Sequence, residues 1–346
     1  MKFFKQIILI LIIFFKTENL LSENKLFNVN NIVLENNNKT SIDQLANQAI
    51  TKAFKVLIDK ILLDQDILKL SNISFKEKRN LVTYYNISKS HELDNDKISF
   101  NINFDKDKLH DLFYKYDIPY SDITDIEFYI LPILIKENDI SIFSKNYFYE
   151  NWNAFSEDDL IEFILPLENI EIIQNINKSR NNLFDLQLSF LLKEYSDKNI
   201  GIVLIESYKK GGNKVYLKTR IQNKNISKSL NLRYDGQEEN EILNKIIFET
   251  KREIINLVKL QNLIDIRTPS FLNVKLKLKK NSNLVLLNSK ISNIDLIENI
   301  FVQNFDKNHV NLKIKYLGKL EKIIYQLEKE KISLKLINDQ WSINFL

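Results

Sequence analysis

The sequence contains no cysteine. Disulfides, thiolate nucleophiles and cysteine-ligated metals are therefore excluded together, and in an oxidising compartment stability has to come from burial. A lipid anchor attached through cysteine is excluded as well. Glycine is scarce, with five residues in 346, and only Gly211 and Gly212 adjoin. A phosphate-cradling loop needs clustered glycines so that backbone N–H groups can approach the anion. The one adjacent pair reads instead as a hairpin turn. There is no Gly-X-Ser-X-Gly nucleophile elbow. The three histidines, His91, His110 and His309, are scattered, and none has a second histidine at ligand spacing. A zinc site or an imidazole base has no support in that distribution. The expectation is no cofactor, no metal and no catalytic residue recognisable from a motif.

Strong net charge is also lacking. The formal charge is +4, and beyond residue 22 the remaining 46 basic and 44 acidic residues leave +2. A nucleic-acid footprint needs a concentrated basic face, so no nucleic-acid partner is expected. Lysine greatly outnumbers arginine, and asparagine and isoleucine are abundant, as an AT-rich coding sequence would produce. Single lysines and asparagines, including the Asn-X-Ser/Thr matches at Asn38, Asn72, Asn86 and Asn225, carry little functional information for that reason. Acidic groups cluster at Glu157-Asp158-Asp159 and at Glu168 with Glu171. Paired carboxylates can do acid–base chemistry when a pocket separates their pKa values. The first group precedes an apolar segment, where acids suit a helix start or a solvated loop.

Hydrophobic residues make up 44% of the chain and aromatics 11%, enough for packed cores in two or three domains. The opening stretch, MKFFKQIILILIIFF, places Lys2 and Lys5 before nine apolar residues at 7–15. A membrane span needs roughly 20 residues, whereas a basic start with a short apolar core is the pattern of a secretory signal. Lys16, Thr17, Glu18 and Asn19 end the run, and only Ser22 is small near a cleavage point. Residues 1–22 are expected to be either a cleaved signal peptide or an uncleaved anchor that uses residues 3–15. Contact with a membrane is expected only through this segment, if it is uncleaved.

Further along, a strand at 26–34 is followed by a polar Asn36-Asn37-Asn38 turn. Ser41 with Gln44 three residues on is a capping-box signature. Behind it Ile42, Leu45, Ala46, Ala49, Ile50, Ala53, Phe54 and Leu57 recur at helical spacing, the strongest helix signal in the chain. Ile98, Phe100, Ile102 and Phe104 alternate with polar residues as a half-buried strand, with 81–87 as its antiparallel partner across Asp94-Asn95-Asp96. Asp105 caps a helix carrying Leu109, Leu112, Phe113 and Tyr116. Residues 126–135 are almost continuously apolar, which suits a strand covered on both faces. A weakly helical stretch at 147–155, a strand at 163–165, a helix at 183–195, strands at 200–206, 215–221 and 226–232, and a long helix at 241–260 follow. Arg267-Thr268-Pro269 interrupts the pattern. After it come an alternating strand from Leu272, a helix around 284–291, strands at 300–305 and 310–314, a helix after Gly318, and strands at 332–336 and 341–345.

The expected fold class is α/β (α+β), as three small domains in series. A βαββα(β) domain at 23–122 and a βαββαβ domain at 270–346 flank a mixed-sheet α/β domain at 123–265. Tyr147, Phe148, Tyr149 and Trp152 form an aromatic cluster in a polar setting, which either packs in a core or presents a partner surface.

Five segments recur together in one family: LANQAITKAFKVLIDKIL, FNINFDKDKLHDLF, LPILI, FILPLENIEII and VNLKIKYLGKLEKIIYQLEKEKISLKL. With Phe104-Asp105, Pro132, Pro166-Leu167, Tyr316 and Gly318, the chain resembles the proteobacterial domain-of-unknown-function 2066 family across nearly its whole length after residue 22. It departs at Glu168-Asn169, where an aspartate is expected nearby, and it lacks the arginine and tryptophan richness of relatives. The order of domains also resembles, more distantly, the arrangement in the flagellar assembly protein T type. There a domain similar to the amino-terminal domain of the Tol-system beta-propeller protein sits between other small α/β domains. The resemblance implies an exported, periplasmic protein with no settled activity and no catalytic residues to carry over. The function expected, from the absent cysteines, the scattered histidines and the lack of a recognisable nucleophile or phosphate loop, is a non-catalytic interaction or assembly factor with envelope-protein partners. The alternatives are a binding module for an envelope glycan or lipid, or a hydrolase acting through carboxylates.

Overall fold

The computed structural model describes residues 26–35, 40–88, 97–123, 126–136, 139–154, 161–207, 212–233, 239–278, 282–292, 294, 296–305 and 308–346. The export segment, the turns at 36–38 and 94–96, His91, Gly211 and the acids at 157–159 lie outside those residues.

The first part of the chain runs β1 (Asn28–Glu35), α1 (Ile42–Ile61), α2 (Asp64–Ile67), a 3-10 turn (Leu68–Leu70), α3 (Phe75–Asn80), β2 (Val82–Ser88), β3 (Lys97–Phe104), α4 (Lys106–Lys115) and β4 (Tyr120–Ser121). Next come β5 (Ile126–Lys136), β6 (Asp139–Ser141), α5 (Tyr147–Asn151), β7 (Ile161–Ile164), α6 (Ile170–Lys178), α7 (Leu188–Leu191), β8 (Asn199–Ser207), β9 (Gly212–Ile221), β10 (Lys224–Arg233) and α8 (Glu239–Gln261). The last part is β11 (Leu263–Ile264), β12 (Ser270–Lys277), α9 (Ser282–Ile291), β13 (Ile297–Phe305), β14 (His309–Tyr316), α10 (Leu320–Lys329), β15 (Ile332–Ile337) and β16 (Gln340–Phe345). Helices and small sheets are mixed throughout, an α/β protein.

The chain divides into two compact units in place of three in series: one takes the chain up to Tyr120 and again from Leu263 to Leu346, the other Ser121–Asn262. The physical reason is a shared interior. A single buried cluster runs from Leu26 through Phe54, Phe104 and Phe113 to Leu312, Ile323 and Ile343.

In the first unit, β3 lies between β1 and β2, antiparallel to both. Helix α1 lies on β1 and β3. Its start is fixed by the capping box: Gln44 N donates to Ser41 Oγ and Ser41 N to Gln44 Oε1, both at 3.3 Å. That box is worth about 1 kcal/mol. Burial decides the helix, because each interior Leu, Ile or Phe contributes about 1.5–3 kcal/mol, and Leu45, Ile50, Phe54, Leu57 and Ile61 are all interior. The carboxy-terminal sheet has the order β13-β14-β12-β16-β15. Leu272, Val274 and Leu276 of β12 and Val310, Leu312 and Ile314 of β14 supply its buried face, as strict alternation requires. Gly318, at φ +79°, makes the left-handed turn that leads into α10.

The second unit is built on a sheet ordered β10-β9-β8-β5-β6, with β7 beside β5. β5 and β8 are parallel and β8 and β9 antiparallel. Both faces are covered. Phe128, Ile130, Val203 and Ile205 meet α5 and α8 on one side, and Leu131, Ile133, Ile202 and Leu204 meet residues 172–192 on the other. Gly201 sits where β8 is most crowded: a Cβ there would come within 3.0 Å of Ile130 Cδ1 and Phe128 Cε1.

Several elements differ from the sequence reading, among them α2, the 3-10 turn, α3 and β6, which it did not contain. The helix expected at 183–195 is broken into a 3-10 turn (Arg180–Asp185), α7 and a second 3-10 turn (Lys193–Tyr195). Leu183, Leu186, Leu188, Leu191 and Leu192 all reach the sheet, and no single helix presents them together. Lys218 Nζ takes up carbonyls released by the break, donating to Phe184 O at 2.5 Å and Leu186 O at 3.0 Å. Helix α6, unforeseen, begins at Asn169, whose side chain accepts from Glu171 N at 2.8 Å, and buries Ile172 and Ile176 one turn apart.

Candidate binding groove

The aromatic cluster offered as a partner surface lies inside the second unit. Phe148 and Trp152 are 0% exposed. Tyr147 and Tyr149 are half-buried, and each spends its hydroxyl inward: Tyr147 donates to Asn244 Oδ1 and Tyr149 to the Pro166 carbonyl, both at 2.8 Å. Burial and the nearby Glu168 carboxylate push the Tyr149 hydroxyl pKa up. Asn146 organises the cluster. Its Nδ2 donates to the carbonyls of Pro132, Ser141 and Ile142 at 2.9–3.1 Å, while its Oδ1 caps α5 by accepting from Phe148 N. Core packing, the other explanation, holds, and the surface reading is withdrawn.

The polar candidates do not converge either. Glu168 and Glu171 are exposed. His110 lies among Phe27, Phe113 and Tyr120, its Nε2 3.1 Å from the Tyr120 hydroxyl. Burial, and secondarily the charge of Lys106, lowers its pKa to about 4. It is thus a half-buried residue whose surroundings disfavour its cationic form. His309 opens β14. Among the described residues, no group of three or more His, Asp or Glu side chains is placed to hold a metal ion.

One concavity lies in the first unit. Helix α1, the 3-10 turn and α3 enclose an open groove of about 780 Å³ with a mainly apolar lining. Phe54, Ile58, Ile67 and Leu70 make its floor, and Leu68, 73% exposed, and Phe75, 39% exposed, stand at its side. Its cationic groups are Lys52 and Lys55 on α1 and Lys78 on α3, and among the described residues no carboxylate lines it.

The local sequence explains this geometry. Ser74 and Glu77 form a second capping box, with Glu77 N donating to Ser74 Oγ and Ser74 N to Glu77 Oε2. That bonding lowers the pKa of the Glu77 carboxyl. Arg79 Nη1 donates to Asn47 Oδ1 at 3.2 Å and ties α3 to α1. Asp66, beneath the 3-10 turn, is buried and paired with Lys69 at 2.8 Å. Lys78 Nζ lies 5.6 Å from the centre of the Phe54 ring. Such a site has apolar area to cover and positive charge to neutralise. The sequence reading missed it because its lysines are indistinguishable from the many others. Residues 67–75, ILKLSNISF, hold five large apolar side chains, and nothing in their spacing marks Leu68 and Phe75 as the exposed ones.

No family model matches the chain, and no curated protein matches it. One solved structure, the crystal structure of an uncharacterized protein, is 9% identical over 40% of this chain and 90% of its own, with a TM-score of 0.18. A likeness at that level carries no argument. No helix among the described residues is long and apolar enough to cross a membrane.

Proposed function

We propose that the chain is an exported, non-catalytic interaction or assembly factor of the periplasm, with the groove on α1 as its contact site. The observation that carries this reading is the groove itself: an open apolar trough with three lysines and, among the described residues, no carboxylate in its lining. Export is supported by the basic start and short apolar run at residues 1–15. Membership of the domain-of-unknown-function 2066 family remains part of the proposal. It rests on the five sequence segments and on Phe104-Asp105, Pro132, Pro166-Leu167, Tyr316 and Gly318.

The test has two parts. A reporter fused after residue 30 is expected to cross the inner membrane, and its retention in the cytoplasm would refute export. A photo-crosslinking residue scanned over the exposed surface of the exported chain is expected to yield discrete protein adducts. Their absence from every position would refute the interaction role.

A further inference from the structure

Resting on that reading, we infer that the groove receives an amphipathic α-helix with acidic flanks, supplied by a protein partner. Three features of the groove point to this occupant. The α1 residues that line it run from Asn47 to Ile58, about 16 Å at 1.5 Å per residue, or three helical turns. A helix laid along such a trough presents anchors at i, i+3 or i+4, and i+7 over the same length. The groove is open and bounded by helices, which suits a helix lying along it better than a chain-like ligand that needs enclosure. Its charge is one-sided: Lys52, Lys55 and Lys78 stand along it, and a carboxylate-bearing occupant would neutralise them. Electrostatic complementarity of this kind sets specificity and association rate more than raw affinity.

The same charge argues against the chain's own apolar segment at 7–15 as the occupant. That segment is bracketed by Lys5 and Lys16, so its flanks would face like charge.

The test uses the purified full chain and two synthetic 18-residue helical peptides. Both carry leucine at i, i+3, i+4 and i+7; one has glutamate flanks and the other lysine flanks. Fluorescence anisotropy at low salt is expected to show the glutamate peptide binding at least tenfold tighter. Charge reversal, Lys52→Glu with Lys55→Glu and Lys78→Glu, is expected to invert that order. Leu68→Asp, at an exposed position, is expected to weaken binding at least tenfold with an unchanged circular dichroism spectrum. Equal binding of the two peptides, no binding of either, or an unaltered preference in the charge-reversed chain would overturn the inference. Binding of phosphatidylglycerol vesicles without binding of the glutamate peptide would also overturn it, in favour of a lipid surface. Failure here leaves the interaction role standing if crosslinks arise elsewhere, for example from Phe305 on the edge strand β13.

Discussion

Arg267 donates from Nη1 to Asp117 Oδ1 at 2.9 Å, joining residues 150 apart in sequence within the first unit. Asp265 holds the other side of the guanidinium, accepting from Nε at 2.9 Å and Nη2 at 2.8 Å. The Asp265 carboxyl pKa is lowered by that hydrogen bond. All of these groups meet solvent, where ion pairs contribute little. Cohesion between the first and last parts of this unit therefore rests on the shared core. Arg267→Ala is expected to leave the thermal midpoint nearly unmoved. Leu312→Ala, at an interior position of β14, is expected to cost about 2–5 kcal/mol. If the unit is one cooperative body, hydrogen exchange in α1 will accelerate along with that in β14. Acceleration confined to residues 263–346 would show two separate bodies.

Asn146 is the most exacting polar residue of the second unit. It is 0% exposed and serves three carbonyls and one N–H. Asn146→Leu leaves those groups unpaired in the interior, at a cost of about 3 kcal/mol or more. Asn146→Asp keeps the helix cap but loses the amide donors and buries a charge, so it is expected to be no milder. Urea denaturation of both variants measures this, and a cost below 1 kcal/mol in either would contradict the assignment.

His110 makes stability depend on pH. Its folded pKa is about 4, lowered from 6.5 mainly by burial. Between those values the unfolded chain binds a proton that the folded chain does not, so stability falls as pH falls. The loss expected between pH 6.5 and 5 is about 2 kcal/mol. Urea midpoints across that window should show this slope in the native chain and a much flatter one in His110→Gln.

Trp152 and Trp341 are the two tryptophans of the chain. Trp152 is fully buried and Trp341 half-buried. In Trp341→Phe, the remaining emission is expected to be strongly protected from acrylamide. Trp152→Ala is expected to cost about 3–5 kcal/mol. A neutral Trp152→Ala with freely quenched emission would return the aromatic cluster to the surface.

Elements whose pattern is set by burial were readable in advance. The alternation of Ile98, Phe100, Ile102 and Phe104, the alanine-rich face of α1 behind Ser41 and Gln44, and the unbroken apolar run of β5 each encode one environment. The broken helix at 180–195 was not readable, because its leucines keep near-helical spacing while the sheet beneath demands a different path. The aromatic cluster was readable only as a choice between core and surface. Asn146, which caps the helix by accepting from Phe148 N, and Asn244, which accepts from the Tyr147 hydroxyl, belong to the buried arrangement that decides it. The groove was hidden for a third reason: it arises from packing α3 against α1, a contact fixed by Arg79 and Asn47, which are 32 residues apart.

The account's central claim is tested most directly by placing a photo-crosslinking residue at position 68 of the full chain in the cells that express it. Leu68 is exposed beside the groove, so the substitution leaves the core intact. The account predicts a discrete protein adduct that is lost when Lys52, Lys55 and Lys78 are all replaced by glutamate. An exported chain that forms no protein adduct at position 68, or one whose adduct is indifferent to those three lysines, would contradict the groove's role as the contact site.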